Sequence, residues 1–258
     1  MTSVLSCTEN DLYAFPLPFV VYSWAKLGVK SIVFCPSGDN PKIQLAKKYC
    51  FGKAFFYEFD AEEKRIPTFS QVSRLFAASV VNDDNEVLIT GDSDLAVFTD
   101  YYKQLNDGRV HVVGSDLTDT DQYPMCFIAM PTHTWRDIFG IDKTYQEHLE
   151  ELINPIQGVN IRGEQWCYDQ WYAKKKIKES GVEVIEHPRS NGITQFAQNR
   201  ADRDGWYFDP YNIIDAHLPR PLTEQANLDK VIDLFITKFP EDDFNWVDSF
   251  SNEYKKLL

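Results

Sequence analysis

Residues 87–95 place two carboxylates, Asp92 and Asp94, directly after a short apolar run that suits a buried strand. Residues two apart in an extended segment point to the same side, so both aspartates can converge at the carboxyl end of that strand. Convergent carboxylates suit a hard divalent cation that also carries phosphate oxygens. The alternative is that the two aspartates form a turn and cap the following helix. This stretch alone does not decide between the two interpretations.

The composition limits the class of ligand. The chain has 258 residues, of which 43% are hydrophobic and 14% aromatic, and this is enough for a large core. Its 26 basic and 39 acidic residues give a formal net charge of -13, and the basic residues form no stripe along the sequence. Proteins that bind nucleic acid through its phosphates normally carry such a stripe. We therefore expect no nucleic-acid partner, whereas small anionic ligands bound through a metal remain compatible.

The cellular location follows from the cysteines and from hydropathy. The cysteines are widely spaced, lie mostly in apolar segments and form no CxxC pair, which indicates buried thiols in a reducing compartment. The longest nearly uncharged stretch, residues 12–24, contains two prolines and is about half a membrane span. With neither a signal peptide nor an anchor in view, the sequence predicts a cytoplasmic protein with no membrane segment in this chain.

Strand-like and helix-like segments alternate through the first half of the chain. The strand-like segments are residues 3–7, 31–35, 54–57 and 87–90, and the helix-like segments are residues 16–27, 41–50 and 67–81. This alternation predicts an α/β fold with a mainly parallel sheet flanked by helices, in which ligands collect at the carboxyl ends of the strands. Asp92 and Asp94 lie at such an end.

The second half predicts a less regular structure. Strands are expected at residues 109–113, 125–130 and 182–185, helices at 98–105, 132–139, 165–178 and 222–238, and mostly irregular chain at 186–214. The acidic, aromatic tail at 241–258 is expected to pack back on the body. We predict a single domain over residues 1–258, with a donor half at 1–115, an acceptor half at 116–221 and a C-terminal helix and tail at 222–258.

Two charged residues fall in unusual contexts. Arg74 lies among the apolar positions of the predicted helix 67–81, where a guanidinium is costly unless it meets an anion or another acceptor. It either braces a nucleotide base or the aspartates, or forms a structural ion pair. Glu164 stands at a helix start beside aromatic residues of the kind that stack on sugar rings. A partly desolvated glutamate there can accept a proton from a hydroxyl nucleophile, although a simple helix-start charge is the commoner case.

The third candidate is the segment 214–221, where a strand end turns into a proline-restricted loop. His217 can complete the ligand set of a metal, and Arg220 can meet a phosphate. The alternative for His217 is a hydrogen-bonded loop histidine without a ligand role. The two upstream aspartates favour the metal interpretation.

In their order and context, these residues resemble the GT-A class of nucleotide-sugar-dependent glycosyltransferases. The matching features are an N-terminal βαβ half, an arginine-bearing helix, a strand that ends in a DxD motif, a Gly-Glu-x-Trp helix start and a late histidine. The resemblance implies a GT-A-like (Rossmann-like) fold and an enzyme that uses Mn²⁺ or Mg²⁺. Its donor is a nucleoside-diphosphate sugar, with a UDP-sugar favoured, and its acceptor is a hydroxyl of a glycan or other sugar-bearing molecule.

The resemblance also implies roles at the metal and at the acceptor. It places Asp92 near the ribose and the metal, Asp94 on the metal, and His217 as the remaining protein ligand. It gives Glu164 the role of the base that deprotonates the acceptor, with Asp169 as a second candidate. A base of this kind implies inversion at the anomeric carbon.

The donor nucleotide is expected to meet further residues. Thr8 and Tyr13 follow the first strand, where this class usually meets the nucleoside, and Arg74 and Arg220 belong to the same site. A sugar-bearing acceptor is favoured by the tryptophans at positions 135, 166 and 171.

Two other interpretations remain open. PIN/NYN-like metal-dependent nucleases share the strand-Gly-Asp-x-Asp pattern, but they need a further aspartate at the end of the first strand, where this chain has Ser6, Cys7 and Thr8. Their substrates also call for a basic surface. A non-catalytic nucleotide-sugar-binding module is the other possibility, and the intact aspartate pair with the nearby histidine argues against it.

Overall fold

The computed structural model describes residues 1–118, 121–153, 167–190, 196, 200–203, 206 and 208–258. The chain divides into two compact units that alternate along the sequence. Unit 1 comprises Met1–Ser6, Ala61–Asp92 and Asp100–Gln198, and unit 2 comprises Cys7–Asp60, Ser93–Thr99 and Asn199–Leu258.

The described strands of unit 1 form a mainly parallel sheet. Their order is β1 (Thr2–Ser6), β4 (Val87–Thr90), β7 (Ile128–Pro131), β6 (Val110–Val113) and β8 (Val184–His187). The pairs β1–β4 and β6–β8 are parallel, and β7 runs antiparallel to β4 and β6. Every residue of β4, β6 and β7 is buried, as expected for strands covered on both faces. The predicted mainly parallel sheet is confirmed.

The helices of unit 1 depart from prediction in three places, one of which is the predicted helix 98–105, a 3₁₀ turn in the structure. They are α4 (Ile66–Val72), α5 (Thr132–Phe139), α6 (Tyr145–Ile153) and α7 (Tyr168–Ser180), with 3₁₀ turns at Ser73–Ser79 and Asp100–Leu105. The predicted helix 67–81 becomes 3₁₀ after Val72, because the Ser73 and Ser79 hydroxyls bond carbonyls three residues earlier and tighten the chain. The helix α6 was not predicted. It begins with a reciprocal pair of hydrogen bonds between Thr144 and Glu147, a capping box that is readable in the sequence.

Unit 2 contains a parallel strand pair and a small second sheet. The pair is β2 (Lys30–Cys35) with β3 (Ala54–Glu58), and the small sheet has the order β5 (Leu95–Val97), β10 (Asp215–His217), β9 (Arg200–Ala201). Strand β10 is antiparallel to β5 and parallel to β9. Its register pairs Leu95 with His217, and this pairing positions the candidate site described below.

Five helices belong to the described part of unit 2. They are α1 (Asp11–Ala14), α2 (Leu17–Lys26), α3 (Pro41–Tyr49), α8 (Gln225–Lys238) and α9 (Trp246–Tyr254). As predicted for the tail, α9 packs on the body, since the rings of Phe250 and Tyr254 each lie 4.9 Å from the ring of Phe15. The Tyr254 hydroxyl also donates to Asp11 (2.9 Å). Within the described ranges, we find no helix with the length and hydropathy that a membrane span requires.

Candidate active site

Strand pairing within unit 2 brings Asp94 close to His217. Asp94 immediately precedes β5, and Leu95 pairs with His217 on β10. The Leu218 amide donates to the Asp94 carbonyl (2.8 Å), which extends the ladder by one step. A carboxylate oxygen of Asp94 and a ring nitrogen of His217 lie within 4.8 Å of each other. Two of the predicted ligands are therefore neighbours in the structure, although they lie far apart along the chain.

The two oxygens of the Asp94 carboxylate have different environments. The residue is 1% exposed. Its Oδ2 accepts hydrogen bonds from Arg203 Nε (3.1 Å), Arg203 Nη2 (2.9 Å) and Arg220 Nη2 (2.7 Å). Its Oδ1 is buried and has no hydrogen-bond partner among the described residues. A buried carboxylate oxygen without a donor is costly, so Oδ1 suits a cation.

The ring of His217 is held by a carboxylate. Its Nδ1 lies 3.0 Å from Asp202 Oδ1, and Arg200 also contacts the ring, with Nη2 3.2 Å from Nε2. The hydrogen bond with His217 lowers the pKa of Asp202 to about 2, so this carboxylate is charged at neutral pH. A carboxylate on one ring nitrogen is the arrangement that orients metal-binding histidines. Together with the unpartnered oxygen of Asp94, this donor set fits Mn²⁺ or Mg²⁺.

Arg220 contacts both Asp94 and the predicted nucleoside loop, which carries Tyr13. Its guanidinium carbon lies 4.8 Å from the centroid of the Tyr13 ring, within the range of a cation–π contact. Burial is the largest single effect and acts to lower the pKa of Arg220, but Asp94 and Tyr13 together outweigh it, and the pKa is raised. Thr8, the other predicted contact, is buried, and its hydroxyl accepts from the Asn10 amide (3.3 Å). Tyr13 and Arg220 thus form one surface in unit 2.

In unit 1, Arg74 braces the residues just after β4. Its Nη1 donates to the carbonyl of Gly91 (2.9 Å) and to Oδ1 of Asp92 (2.6 Å), and its Nη2 donates to Oδ2 of Asp169 (2.9 Å). Arg74 is 8% exposed, so these contacts are those of a buried ion pair. The sequence left two interpretations of Arg74 open: a brace for a nucleotide base or the aspartates, and a structural ion pair. The acidic partners of Arg74 among the described residues are Asp92 and Asp169.

Asp169 is the carboxylate at the far side of Arg74. Burial raises its pKa to about 6, while the charge of Arg74 acts in the opposite direction. Both oxygens are engaged, because Oδ1 accepts from the Gln170 amide (2.9 Å) and Oδ2 accepts from Arg74. The Asp169 carboxylate therefore accepts its hydrogen bonds from groups within the protein.

The predicted acceptor side is described only in part. Glu164 and its neighbour Trp166 lie outside the described residues. Trp171, on α7, is 42% exposed and is available to an acceptor. The interpretation of Trp135 as an acceptor residue was wrong, because Trp135 is 1% exposed and its indole donates to the Leu88 carbonyl (3.3 Å) inside unit 1.

Three charged residues that contact Asp94 or His217 in unit 2 were not predicted from the sequence, namely Arg200, Asp202 and Arg203. They fall in the stretch predicted to be irregular, and Arg203 lies 109 residues from Asp94 along the chain. The only local sign is the density of opposite charges at positions 200–203. Nothing in that spacing points to Asp94.

Comparison with known proteins adds the fold. No protein-family model and no curated protein sequence matches the chain. The apo form of the glycosyltransferase GlyE from Streptococcus pneumoniae TIGR4 matches in structure with a TM-score of 0.51 at 11% identity, over 99% of this chain and 63% of that chain. The chain has a GT-A-like fold.

Two further solved structures resemble the chain. The galactosyltransferase LgtC, in complex with donor and acceptor sugar analogues, matches with a TM-score of 0.46 at 10% identity, over 91% of this chain and 95% of that chain. Mouse xyloside xylosyltransferase 1 matches with a TM-score of 0.42 at 10% identity, over 84% of this chain and 96% of that chain. Both of these neighbours are named as sugar-transferring enzymes.

Proposed function

We propose that the chain is a metal-dependent glycosyltransferase. It moves a sugar from a nucleoside-diphosphate sugar, with a UDP-sugar favoured, to a hydroxyl of a glycan or other sugar-bearing acceptor. One observation carries the proposal: a buried Asp94 oxygen without a hydrogen-bond partner among the described residues lies on the same carboxylate that neighbours His217, in a chain with a GT-A-like fold.

In this proposal Asp94 and His217 hold Mn²⁺ or Mg²⁺, and Asp92 adds a carboxylate from two positions upstream in the chain. Asp202 fixes the His217 ring through Nδ1. The metal, when bound, supplies positive charge to the diphosphate that leaves with the nucleoside. Arg74 holds the carbonyl of Gly91 and the carboxylate of Asp92, so it fixes the start of the Asp-Ser-Asp turn.

The donor's nucleoside lies, in this proposal, along the loop that carries Thr8 and Tyr13. Tyr13 offers an aromatic face and Arg220 a cation at 4.8 Å from that face, which suits a base next to a phosphate group. Arg220 then contributes to binding the donor, and the same guanidinium lies on Asp94. A nucleotide bridging Tyr13 and the metal ligands would pass beside it.

We assign the base to Glu164 and a positioning role to Asp169. Asp169 is 2% exposed and each of its oxygens accepts a hydrogen bond from the protein, so an acceptor hydroxyl in solvent does not reach it. Its contact with Arg74 gives it the role of holding that guanidinium. With Glu164 as the base, the acceptor hydroxyl attacks the anomeric carbon in line with the departing diphosphate, and the configuration inverts.

A thermal-shift screen tests the function. The protein is heated with Mn²⁺ and, in turn, UDP, GDP, CMP and single-stranded RNA, each with and without EDTA. A ligand at about 100 times its dissociation constant stabilises by about 2.7 kcal/mol, which raises Tm by roughly 5–10 °C for a chain of this length. We expect this shift for one nucleoside diphosphate in the presence of Mn²⁺.

Two variants sharpen that screen. Asp94→Asn is expected to abolish the metal-dependent shift, whereas Asp229→Asn, an exposed aspartate on α8 that bonds Gln225, is expected to keep it. Stabilisation by RNA alone, or a wild-type shift that persists in Asp94→Asn, would overturn the assignment.

A further inference from the structure

We propose that Arg203 is a ligand of the donor's diphosphate. In the structure its guanidinium pairs with Asp94, and it moves from Asp94 to the diphosphate when a metal binds. Metal and donor then bind as a coupled pair. This inference rests on the proposed function and adds to it a residue and a binding order that neither the sequence motifs nor the fold comparison suggests.

The first observation is that one carboxylate oxygen serves two guanidiniums. Arg203 donates to Asp94 Oδ2 through both Nε and Nη2, and Arg220 donates to the same oxygen. The other oxygen has no hydrogen-bond partner among the described residues. Both guanidiniums therefore bind Oδ2 of the carboxylate, and Oδ1 is the oxygen available to a cation.

The second observation is that the described charges around Asp94 in unit 2 balance. Among the described residues of unit 2, Arg203 and Arg220 lie on Asp94, and Arg200 pairs with Asp202 and Asp215, so three guanidiniums meet three carboxylates. A divalent cation added alone at Asp94 would meet two guanidiniums across a single carboxylate, in surroundings of low dielectric. A doubly negative sugar diphosphate added alone would meet the Asp94 carboxylate. The charges around Asp94 stay balanced only when the divalent cation and the diphosphate bind together.

The third observation separates Arg203 from Arg220. Arg220 is packed over the Tyr13 ring and its side chain is 23% exposed. Arg203 has a side chain that is 36% exposed, and Asp94 is its hydrogen-bond partner among the described residues. Arg203 can thus leave Asp94 by rotating in solvent, without breaking an aromatic contact to any described residue. Its planar fork suits a diphosphate as well as it suits a carboxylate.

The exchange has a thermodynamic consequence. A metal at Asp94 Oδ1 draws the charge of the carboxylate and weakens its pairing with Arg203 at Oδ2, which frees a guanidinium for the diphosphate. A diphosphate that attracts Arg203 in turn leaves Asp94 with more negative charge for the metal. Each ligand therefore raises the affinity of the other by the same factor, as linkage requires. The coupling resides in the arginine, so removing its charge should remove the coupling.

The test measures Mn²⁺ binding rather than turnover. Free Mn²⁺ is followed by electron paramagnetic resonance while the full chain is titrated alone, with UDP, with inorganic pyrophosphate and with uridine. For the wild type we expect UDP and pyrophosphate to raise the Mn²⁺ affinity about tenfold, and uridine to leave it unchanged, because uridine lacks the diphosphate. An equal effect of uridine would overturn the exchange.

The variant Arg203→Gln gives opposite effects on the two ligands. Mn²⁺ alone should bind about threefold tighter than to the wild type, UDP should bind more weakly, and the coupling should fall below about threefold. Arg203→Lys retains the charge but not the planar fork, so it should keep the wild-type Mn²⁺ affinity and bind UDP more weakly. This split carries the test should the glutamine variant not fold by circular dichroism, and unchanged UDP binding in Arg203→Lys would then overturn the exchange. Arg109→Gln, which removes an exposed arginine paired with Asp107, is the matched control and should behave as wild type.

The outcomes separate this inference from the proposed function. If Arg203→Gln weakens both ligands, or changes neither, Arg203 is a structural ion pair and the exchange is wrong. If no nucleoside diphosphate binds with Mn²⁺ but pyrophosphate still shows coupling that depends on Arg203, the exchange stands and the glycosyltransferase assignment fails.

Discussion

Replacing Arg74 by methionine tests whether the buried ion pair supports unit 1. The substitution leaves a side chain of similar length but removes the cation that binds Asp92 and Asp169. Asp169 is 2% exposed, so its carboxylate loses its partner in a place without solvent. Breaking one side of such a pair costs about 3–5 kcal/mol. We expect Arg74→Met to lower the free energy of unfolding by an amount in this range at neutral pH.

The pH dependence of that loss identifies its cause. Burial raises the pKa of Asp169 to about 6, above the value of about 3.9 for an unfolded aspartate. The native state therefore binds the proton more tightly, and this group's contribution to stability is fully present below about pH 4 and falls by about 3 kcal/mol as the pH rises through about 6. Without Arg74 the pKa of Asp169 rises further, so Arg74→Met should cost more at about pH 8 than at about pH 5.

Urea unfolding followed by tryptophan fluorescence measures both effects. At about pH 8, adding Asp169→Asn to Arg74→Met should recover about 2 kcal/mol and remove most of the pH dependence, because the unpaired charge is gone. Arg109→Met is the control: its arginine is exposed, so the change should stay within about 0.5 kcal/mol. An equal loss at both pH values, or a double variant less stable than Arg74→Met, would refute the role given to Asp169.

Three further predictions concern binding and turnover. Asp202→Asn should weaken Mn²⁺ binding about tenfold or more by isothermal titration, because His217 loses the carboxylate that orients it; unchanged affinity would contradict this. Tyr13→Ala should weaken UDP binding in the presence of Mn²⁺ about fivefold through loss of the aromatic face beside Arg220, and equal binding would remove Tyr13 from the donor site. Glu164→Gln should bind donor normally and lose about 100-fold or more in transfer rate, whereas unchanged turnover would move the base elsewhere.

The parts of the fold that were predicted correctly are those that local sequence determines. Strand β4 is a continuous apolar run followed by Gly91, and this pattern is sufficient to place Asp92 and Asp94 at a strand's carboxyl end. Helix α3 has a proline at its first position and Asn40 as its cap, and α2 ends before Gly28, so both helices carry their own boundaries. The alternation of strand-like and helix-like segments along the chain likewise predicted the mainly parallel sheet.

The parts that were missed depend on distant partners. Strand β5 has three residues and becomes a strand only by pairing with β10, which comes more than a hundred residues later. The same pairing positions Asp94 beside His217. The ion pairs of Arg203 and Arg74 are likewise contacts between segments far apart in sequence, so the residue types were visible but their partners were not.

We propose that this chain cleaves the bond between the sugar and the diphosphate of a nucleotide sugar in a metal-dependent reaction. Phosphorus NMR of a panel of nucleoside-diphosphate sugars, incubated with the protein, Mg²⁺ and simple glycan acceptors, tests it most directly. We predict release of a nucleoside diphosphate from one donor, lost on adding EDTA and in Asp94→Asn but not in Asp229→Asn. Release of a nucleoside monophosphate and a sugar phosphate, release that persists in EDTA, or no cleavage of any donor would contradict the account.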